Sequence, residues 1–123
     1  MIHLAIVDDK KNISNTIKAG LERFGDCEVT LLAENGRDFL EQMREARRSV
    51  EPQLVLMDID MPIMNGIETV AAAKQRYPQV LFIMLTIFDE DDKIFDALKA
   101  GADGYLLKDE PISKIHSAIV DIL

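Results

Sequence analysis

The chain has 123 residues, which fits one domain with its own core and leaves little room for a second. With 48% hydrophobic and 29% charged residues, it has the composition of an ordinary globular chain rather than a fibrous or disordered one. A net charge of -8 works against direct binding to nucleic-acid phosphates, and the N-terminal apolar stretch Leu4–Val7 is too short for a membrane span or a signal peptide. No membrane association and a cytoplasmic location are therefore expected.

The predicted elements alternate along the chain. An apolar run over Ile2–Val7 predicts a first strand, and Ile13, Ile17, Leu21 and Phe24 then recur at helical spacing. A second strand is expected over Cys27–Ala33, followed by a helix opening near Gly36 with Phe39, Leu40 and Met43 on its apolar face. The polar stretch Arg44–Gln53 extends that helix or loops from it, as solvated surface. Leu54–Met57 predicts a third strand. After an Asn65–Gly66 turn comes a helix with Ile67, Val70 and Ala71 inward, ending before Pro78. Val80–Leu85 predicts a fourth strand, and Ile94, Ala97 and Leu98 mark a fourth helix ended by Gly101. The acidic run Asp89–Asp92 before it suits a helix N-terminus. Gly104–Leu107 predicts a fifth strand, and Ile112, Ile115, Ile119 and Ile122 mark a fifth helix behind Pro111. Five strand–helix repeats imply a parallel sheet with helices on both faces.

The single cysteine, Cys27, excludes an internal disulfide and is expected to be a partly buried free thiol. His3 and His116 have no Cys or His at zinc-ligand spacing, so no zinc site is expected.

Chemistry gathers where the strands end. Asp8 and Asp9 follow the first strand, Asp58 the third, Thr86 the fourth and Lys108 the fifth. Open α/β sheets bind ligands at that edge, near the point where strand order reverses. If the first and third strands are neighbours, about 4.8 Å apart, three carboxylates crowd together. Two of them about 4 Å apart repel by roughly 4 kcal/mol at an effective dielectric of about 20. Such a cluster calls for a cation, and an all-oxygen set suits a hard ion such as Mg2+. A carboxylate so placed can attack phosphorus, while Mg2+ and a lysine neutralise the transferring group.

Asp8–Asp9, the segment Met57-Asp58-Ile59-Asp60-Met61-Pro62-Ile63-Met64-Asn65-Gly66, then Thr86 and Gly104-Tyr105-Leu106-Leu107-Lys108 together resemble receiver domains of bacterial two-component response regulators. The resemblance covers essentially the whole chain. It implies a flavodoxin-like (βα)5 three-layer sandwich with strand order 2-1-3-4-5, and a single receiver domain over residues 1–123. Asp58 is implied as phosphoacceptor, with a sensor histidine kinase or phosphotransfer protein as donor. Asp8 and Asp9 are implied as the Mg2+ pair, Asp9 directly and Asp8 partly through water, with the backbone carbonyl of Asp60 as a further ligand. Lys108 is implied as the phosphate-binding lysine, and Thr86 and Tyr105 as the switch pair. The domain would catalyse its own phosphorylation and dephosphorylation rather than turn over an external substrate.

The stretch Leu85–Asp92 with Gly104–Asp109 is similar to receivers of the NarL/LuxR type. That implies control of transcription through a DNA-binding output domain outside this chain, with a stand-alone regulator as the alternative. A homodimer through the fourth helix, fifth strand and fifth helix is compatible, with Ile94, Lys99 and Tyr105 as markers. Asp109 follows the lysine where many receivers carry proline. Ile87 follows Thr86 where many carry a small residue, and its bulk is expected to restrict access to Asp58.

Other classes fit less well. Asp58 and Asp60 have the Asp-x-Asp spacing of haloacid-dehalogenase-type phosphohydrolases, but Pro62 stands where those carry Thr or Val. A flavin site would need a phosphate-cradling loop where Asp8–Asp9 stand. A pseudo-receiver acting without phosphorylation would not need the intact acid set.

Overall fold

The computed structural model describes residues 1–46, 51–87 and 91–123. Its elements are β1 (Ile2–Val7), α1 (Lys11–Glu22), β2 (Cys27–Ala33), α2 (Gly36–Ala46), β3 (Leu54–Met57), α3 (Gly66–Arg76), β4 (Leu81–Thr86), α4 (Asp91–Ala100), β5 (Gly104–Leu107) and α5 (Ile112–Ile122). The strands form one parallel sheet in the order β2-β1-β3-β4-β5, as expected. No helix among the described residues is long and apolar enough to cross a membrane.

Period-two alternation in the central strands feeds two cores at once. Leu4, Ile6, Leu54, Leu56, Ile83 and Leu85 pack with Ile17 and Leu21 of α1 and Ile115 and Ile119 of α5. Ala5, Val7, Val55, Met57, Phe82 and Met84 pack with Phe39, Met43, Val70, Ala73 and Ala97 of the three remaining helices. Burial of each large side chain, such as Leu4 or Phe82, contributes about 1.5–3 kcal/mol. A continuous apolar run is thus what a strand covered on both faces requires.

The edge strand β2 reads differently, burying alternate residues only. Its pairing with β1 shifts register between Leu4 and Ala5, which face Val29 and Leu31. The irregularity at Thr30 moves the buried set across the sheet: Cys27 and Val29 join the α1/α5 core, while Leu31 and Ala33 join the other.

Several boundaries differ from expectation. Phe24 lies beyond α1, is 45% exposed, and stacks on His116 instead of continuing the buried stripe. Leu98 and Ala71 face outward, because α4 and α3 bury narrow faces centred on Ala97 and on Val70 and Ala73. Asn65 is a helix cap as well as a turn residue. Its side chain accepts from the Glu68 N–H at 2.9 Å, and Glu68 accepts from the Asn65 N–H at 3.2 Å. Thr86 is the last residue of β4, opposite Leu107, rather than the first residue after it. Of the polar stretch Arg44–Gln53, residues 47–50 lie outside the described residues, as do Asp89 and Glu90 of the acidic run. Asp91 and Asp92 sit in the first turn of α4, where the helix dipole favours them.

One glycine fixes the loop that carries the third acid. The Gly66 N–H donates to the Ile59 carbonyl at 2.8 Å, and a Cβ at Gly66 would overlap the Asp58 carbonyl oxygen. Gly66→Ala must therefore displace backbone, not a side chain. The expected loss is about 2 kcal/mol or more in urea unfolding. A loss within the scatter of a surface substitution would show that the loop is not held this tightly.

Candidate functional site

The order β2-β1-β3 reverses the winding of the chain at β1, which opens a crevice beyond the carboxyl ends of β1 and β3. The sheet's hydrogen bonds run one residue past the strands and fix the functional residues there. The Asp8 N–H donates to Ala33 of β2 at 3.0 Å, the Asp58 N–H to Val7 of β1 at 2.9 Å, and the Lys108 N–H to Thr86 of β4 at 2.8 Å. The side chains are therefore delivered by rigid backbone rather than by a mobile loop.

They converge as the spacing implied. One carboxylate oxygen from each of Asp8, Asp9 and Asp58 lies within 4.8 Å of the others. Lys108 reaches across from β5, placing its ammonium 2.6 Å from Asp8 Oδ2 and 3.3 Å from Asp58 Oδ2. Asp8 and Asp58 are buried, and Lys108 is only 9% exposed at its side chain. The other Asp58 oxygen accepts from the Ile59 N–H at 2.9 Å, and the other Asp8 oxygen from the Lys10 N–H at 2.9 Å.

The set fits a hard divalent ion. Asp9 Oδ1 is buried without a hydrogen-bond partner, 3.7 Å from the Lys10 ammonium. A carboxylate oxygen without a hydrogen bond, beside two further carboxylates, is a donor set that suits a hard cation. Both Asp8 oxygens are engaged by protein donors, which leaves Asp9 the freer of the pair.

Burial and the Asp8 charge push the Asp58 carboxyl up to about 6, and Lys108 offsets this only in part. Burial alone would lower the Lys108 ammonium. The hydrogen bond to Asp8 and the charges of Asp58 and Asp8 outweigh it and hold the lysine above its usual value. At neutral pH Asp58 is mostly an ionised carboxylate facing a fixed cation, with Asp8 and Asp58 sharing that one buried lysine.

Thr86 is fully buried at the end of β4, next along the sheet. Tyr105 in β5 is half buried, its ring packed on the core and its hydroxyl oxygen shielded from solvent. The Asp60 carboxylate stands apart, exposed and 3.4 Å from Lys93 of α4. Ile87 is 72% exposed, and Ile94 and Lys99 of α4 are half buried and exposed respectively.

Two features escape a reading of the sequence. An open cleft of about 250 Å3 runs from Asp8 past Lys11 and Ser14 of α1 to Glu34 and Asp38. The Lys93–Asp60 pair joins residues 33 apart in the chain. In both cases the partners meet only through packing. Ile63 adds a third surprise: its φ is 71° while Met64 donates to Pro62 at 2.7 Å, a strained γ-turn in the loop after Asp58.

The pH behaviour follows from the Asp58 shift. Its folded carboxyl titrates near 6 against 3.8 for the ordinary group. The stability held by the protonated form is full below the ordinary value and is lost as pH rises through about 6. Asp58→Asn removes the charge at every pH. Without metal, the variant should match the wild type near about pH 4 and exceed its stability by about 1–2 kcal/mol at about pH 7, after allowing for solvent screening. Mg2+ should narrow that gap by binding the folded wild type. Urea unfolding across pH checks it; a variant no more stable at neutral pH would contradict the electrostatic assignment.

The family model of the response regulator receiver domain matches residues 4–120. The transcriptional regulatory protein LnrK of Bacillus subtilis (strain 168) is 35% identical over 122 residues, covering 99% of this chain and 54% of that protein. The chemotaxis protein CheY of Halobacterium salinarum is 36% identical over 118 residues, covering 96% of this chain and 93% of that protein. The chain thus spans about half the length of the transcriptional relative and nearly all of the chemotaxis one. Among solved structures, the signal receiver domain of the putative response regulator NarL of Mycobacterium tuberculosis superposes with a TM-score of 0.88 at 27% identity, over 98% of this chain and 94% of that one. A CheY-like receiver domain protein of Methanospirillum hungatei superposes with a TM-score of 0.85 at 28% identity, over 98% of this chain and 92% of that one.

Proposed function

Because the chain belongs to the family of response regulator receiver domains, with NarL/LuxR-type proteins among its relatives, we propose that it is switched by transfer of a phosphoryl group to Asp58. The observation that carries this is the Asp58 carboxylate held 3.3 Å from the Lys108 ammonium, with Asp8 and Asp9 oxygens beside it.

The donor is a phosphohistidine on a sensor histidine kinase or phosphotransfer protein. An Asp58 oxygen attacks phosphorus, a P–O bond forms, the P–N bond breaks, and its electron pair stays on the donor imidazole. Lys108 neutralises charge on the equatorial oxygens and remains with the acyl phosphate. Asp9, Asp8, Asp58 and the Asp60 carbonyl would hold Mg2+, which supplies charge neutralisation at the transferring group when bound. Hydrolysis later returns the carboxylate, so the chain acts on itself rather than on an external substrate.

Thr86 then donates its hydroxyl proton in a hydrogen bond to a phosphoryl oxygen, and Tyr105, on the neighbouring strand, follows. This biases an equilibrium that already exists. Moving it from 1:99 to 99:1 takes about 5.5 kcal/mol of differential stabilisation. The response is read on α4, β5 and α5, by homodimerisation or by an output domain that controls transcription. Residues 1–123 form the receiver unit of a cytoplasmic regulator, and any DNA contact is made by the output domain. The net charge of -8 supports leaving DNA to another domain.

Incubation with Mg2+ and phosphoramidate, read by intact mass, should add one phosphoryl group to the wild type and none to Asp58→Ala. Equal addition to both would overturn the proposal. Ile87, exposed beside Thr86, overhangs the approach to the acceptor in this reading. Ile87→Ala should shorten the phosphoryl lifetime several-fold in a dephosphorylation time course, and an unchanged lifetime would remove that role.

A further inference from the structure

A second group of ligand-bearing side chains lies at the other end of the sheet. Asp26, Cys27 and His116 bring a carboxylate oxygen, a thiol sulfur and an imidazole nitrogen within 4.8 Å of one another. The phosphorylation cluster stands beyond the end of β1, whereas Cys27 pairs with Ile2 at its start. The six residues of β1 separate the two sites by about 20 Å, at about 3.3 Å per residue.

The three groups are held in place. His116 Nε2 lies 2.8 Å from Asp26 Oδ1 and 3.0 Å from Oδ2. The Cys27 thiol donates to Asp26 Oδ1 at 3.4 Å. Phe24 stacks on the imidazole with ring centroids 3.9 Å apart and planes 5° apart, which fixes the ring's orientation. Gly25, at φ 85°, reverses the chain so that Phe24 and Asp26 both face His116. The Asp26 carbonyl accepts from the Ile2 N–H at 2.7 Å, anchoring the loop to β1.

We propose that Asp26, Cys27 and His116 form a metal site for a borderline-soft ion such as Zn2+, distinct in chemistry from the all-oxygen cluster around Asp58. Zinc takes sulfur at about 2.3 Å and nitrogen or oxygen at about 2.0–2.2 Å in a tetrahedron. The edges of that tetrahedron are about 3.3 Å between nitrogen and oxygen and about 3.5 Å between sulfur and oxygen. The sulfur–oxygen edge is already present, and the His116–Asp26 pair needs to open by about half an ångström. Asp26, with its side chain 47% exposed, offers the entry path, and a water completes the fourth position.

On binding, the Cys27 thiol proton leaves to solvent, the carboxylate remains ionised, and the Nε2 proton that His116 donates to Asp26 passes through solvent to Nδ1, which frees the Nε2 lone pair for the ion. Burial and the adjacent carboxylate otherwise keep Cys27 protonated, pushed up to about 11, so the sulfur is inert until a cation joins it. The bound ion ties the start of β2 to α5, one of the elements that reads out the switch.

The test is a Co2+ titration of the whole chain with Mg2+ in excess to occupy the oxygen cluster. A thiolate-to-cobalt charge-transfer band saturating at one equivalent, bleached by Zn2+, is expected. Cys27→Ser should abolish the band, and His116→Gln and Asp26→Asn should each weaken Co2+ binding by at least about tenfold. No band in the wild type overturns the proposal. So does a band indifferent to replacing both His116 and Asp26, which would mark a lone thiol. The wild-type titration decides even if a variant folds poorly. Because phosphorylation is not read, failure here leaves the Asp58 assignment intact.

Discussion

One buried cation organises this molecule's functional edge. Lys108 enters from the end of β5 and meets Asp8 from β1 and Asp58 from β3, so its ammonium spans the sheet across the intervening β4. Burying such charges is tolerable only when they are paired and hydrogen-bonded, and here backbone N–H groups of Lys10 and Ile59 complete the pairing. The parallel ladder, the strand order and the tight approach of Gly66 to Asp58 all serve to hold these three heads at contact distance.

The arrangement is deliberately unbalanced. Two buried acids share one lysine, Asp9 keeps a buried oxygen without a hydrogen-bond partner and with the Lys10 ammonium 3.7 Å away, and Asp58 is pushed up toward neutrality by burial first and Asp8 second. A site optimised for stability alone would not leave these charges unsatisfied. The negative charge of the cluster suits a hard cation, and Asp58 is mostly ionised at physiological pH.

Much of this was legible in the sequence because two strong signals coincide. Apolar runs such as Leu54–Met57 identify strands buried on both faces, and a charged or hydroxyl residue immediately after four of the five runs marks one edge of the sheet. The full strand order comes from the family resemblance, since meeting carboxylates require only that β1 and β3 be neighbours. Elements that depend on packing were not legible. Phe24 sits at helical spacing but leaves α1 to stack on a histidine 92 positions later in the chain. Leu98 has the right spacing for burial, yet α4 buries little beyond Ala97. Cys27 and His116 show no ligand spacing, and only the return of α5 to the start of β2 brings them together. The Asn65–Glu68 capping box was visible in principle, as an Asn three residues before a Glu ahead of an apolar helix face, but the Asn–Gly turn signal masked it.

The account stands on the carboxylate of Asp58 being the atom group that carries the phosphoryl. Borohydride reduction of the phosphorylated chain, followed by peptide sequencing, locates an acyl phosphate directly because it converts the modified aspartate to homoserine. The account predicts homoserine at position 58. Homoserine at Asp8, Asp9 or Asp60, or a phosphoryl group that resists reduction, would contradict it.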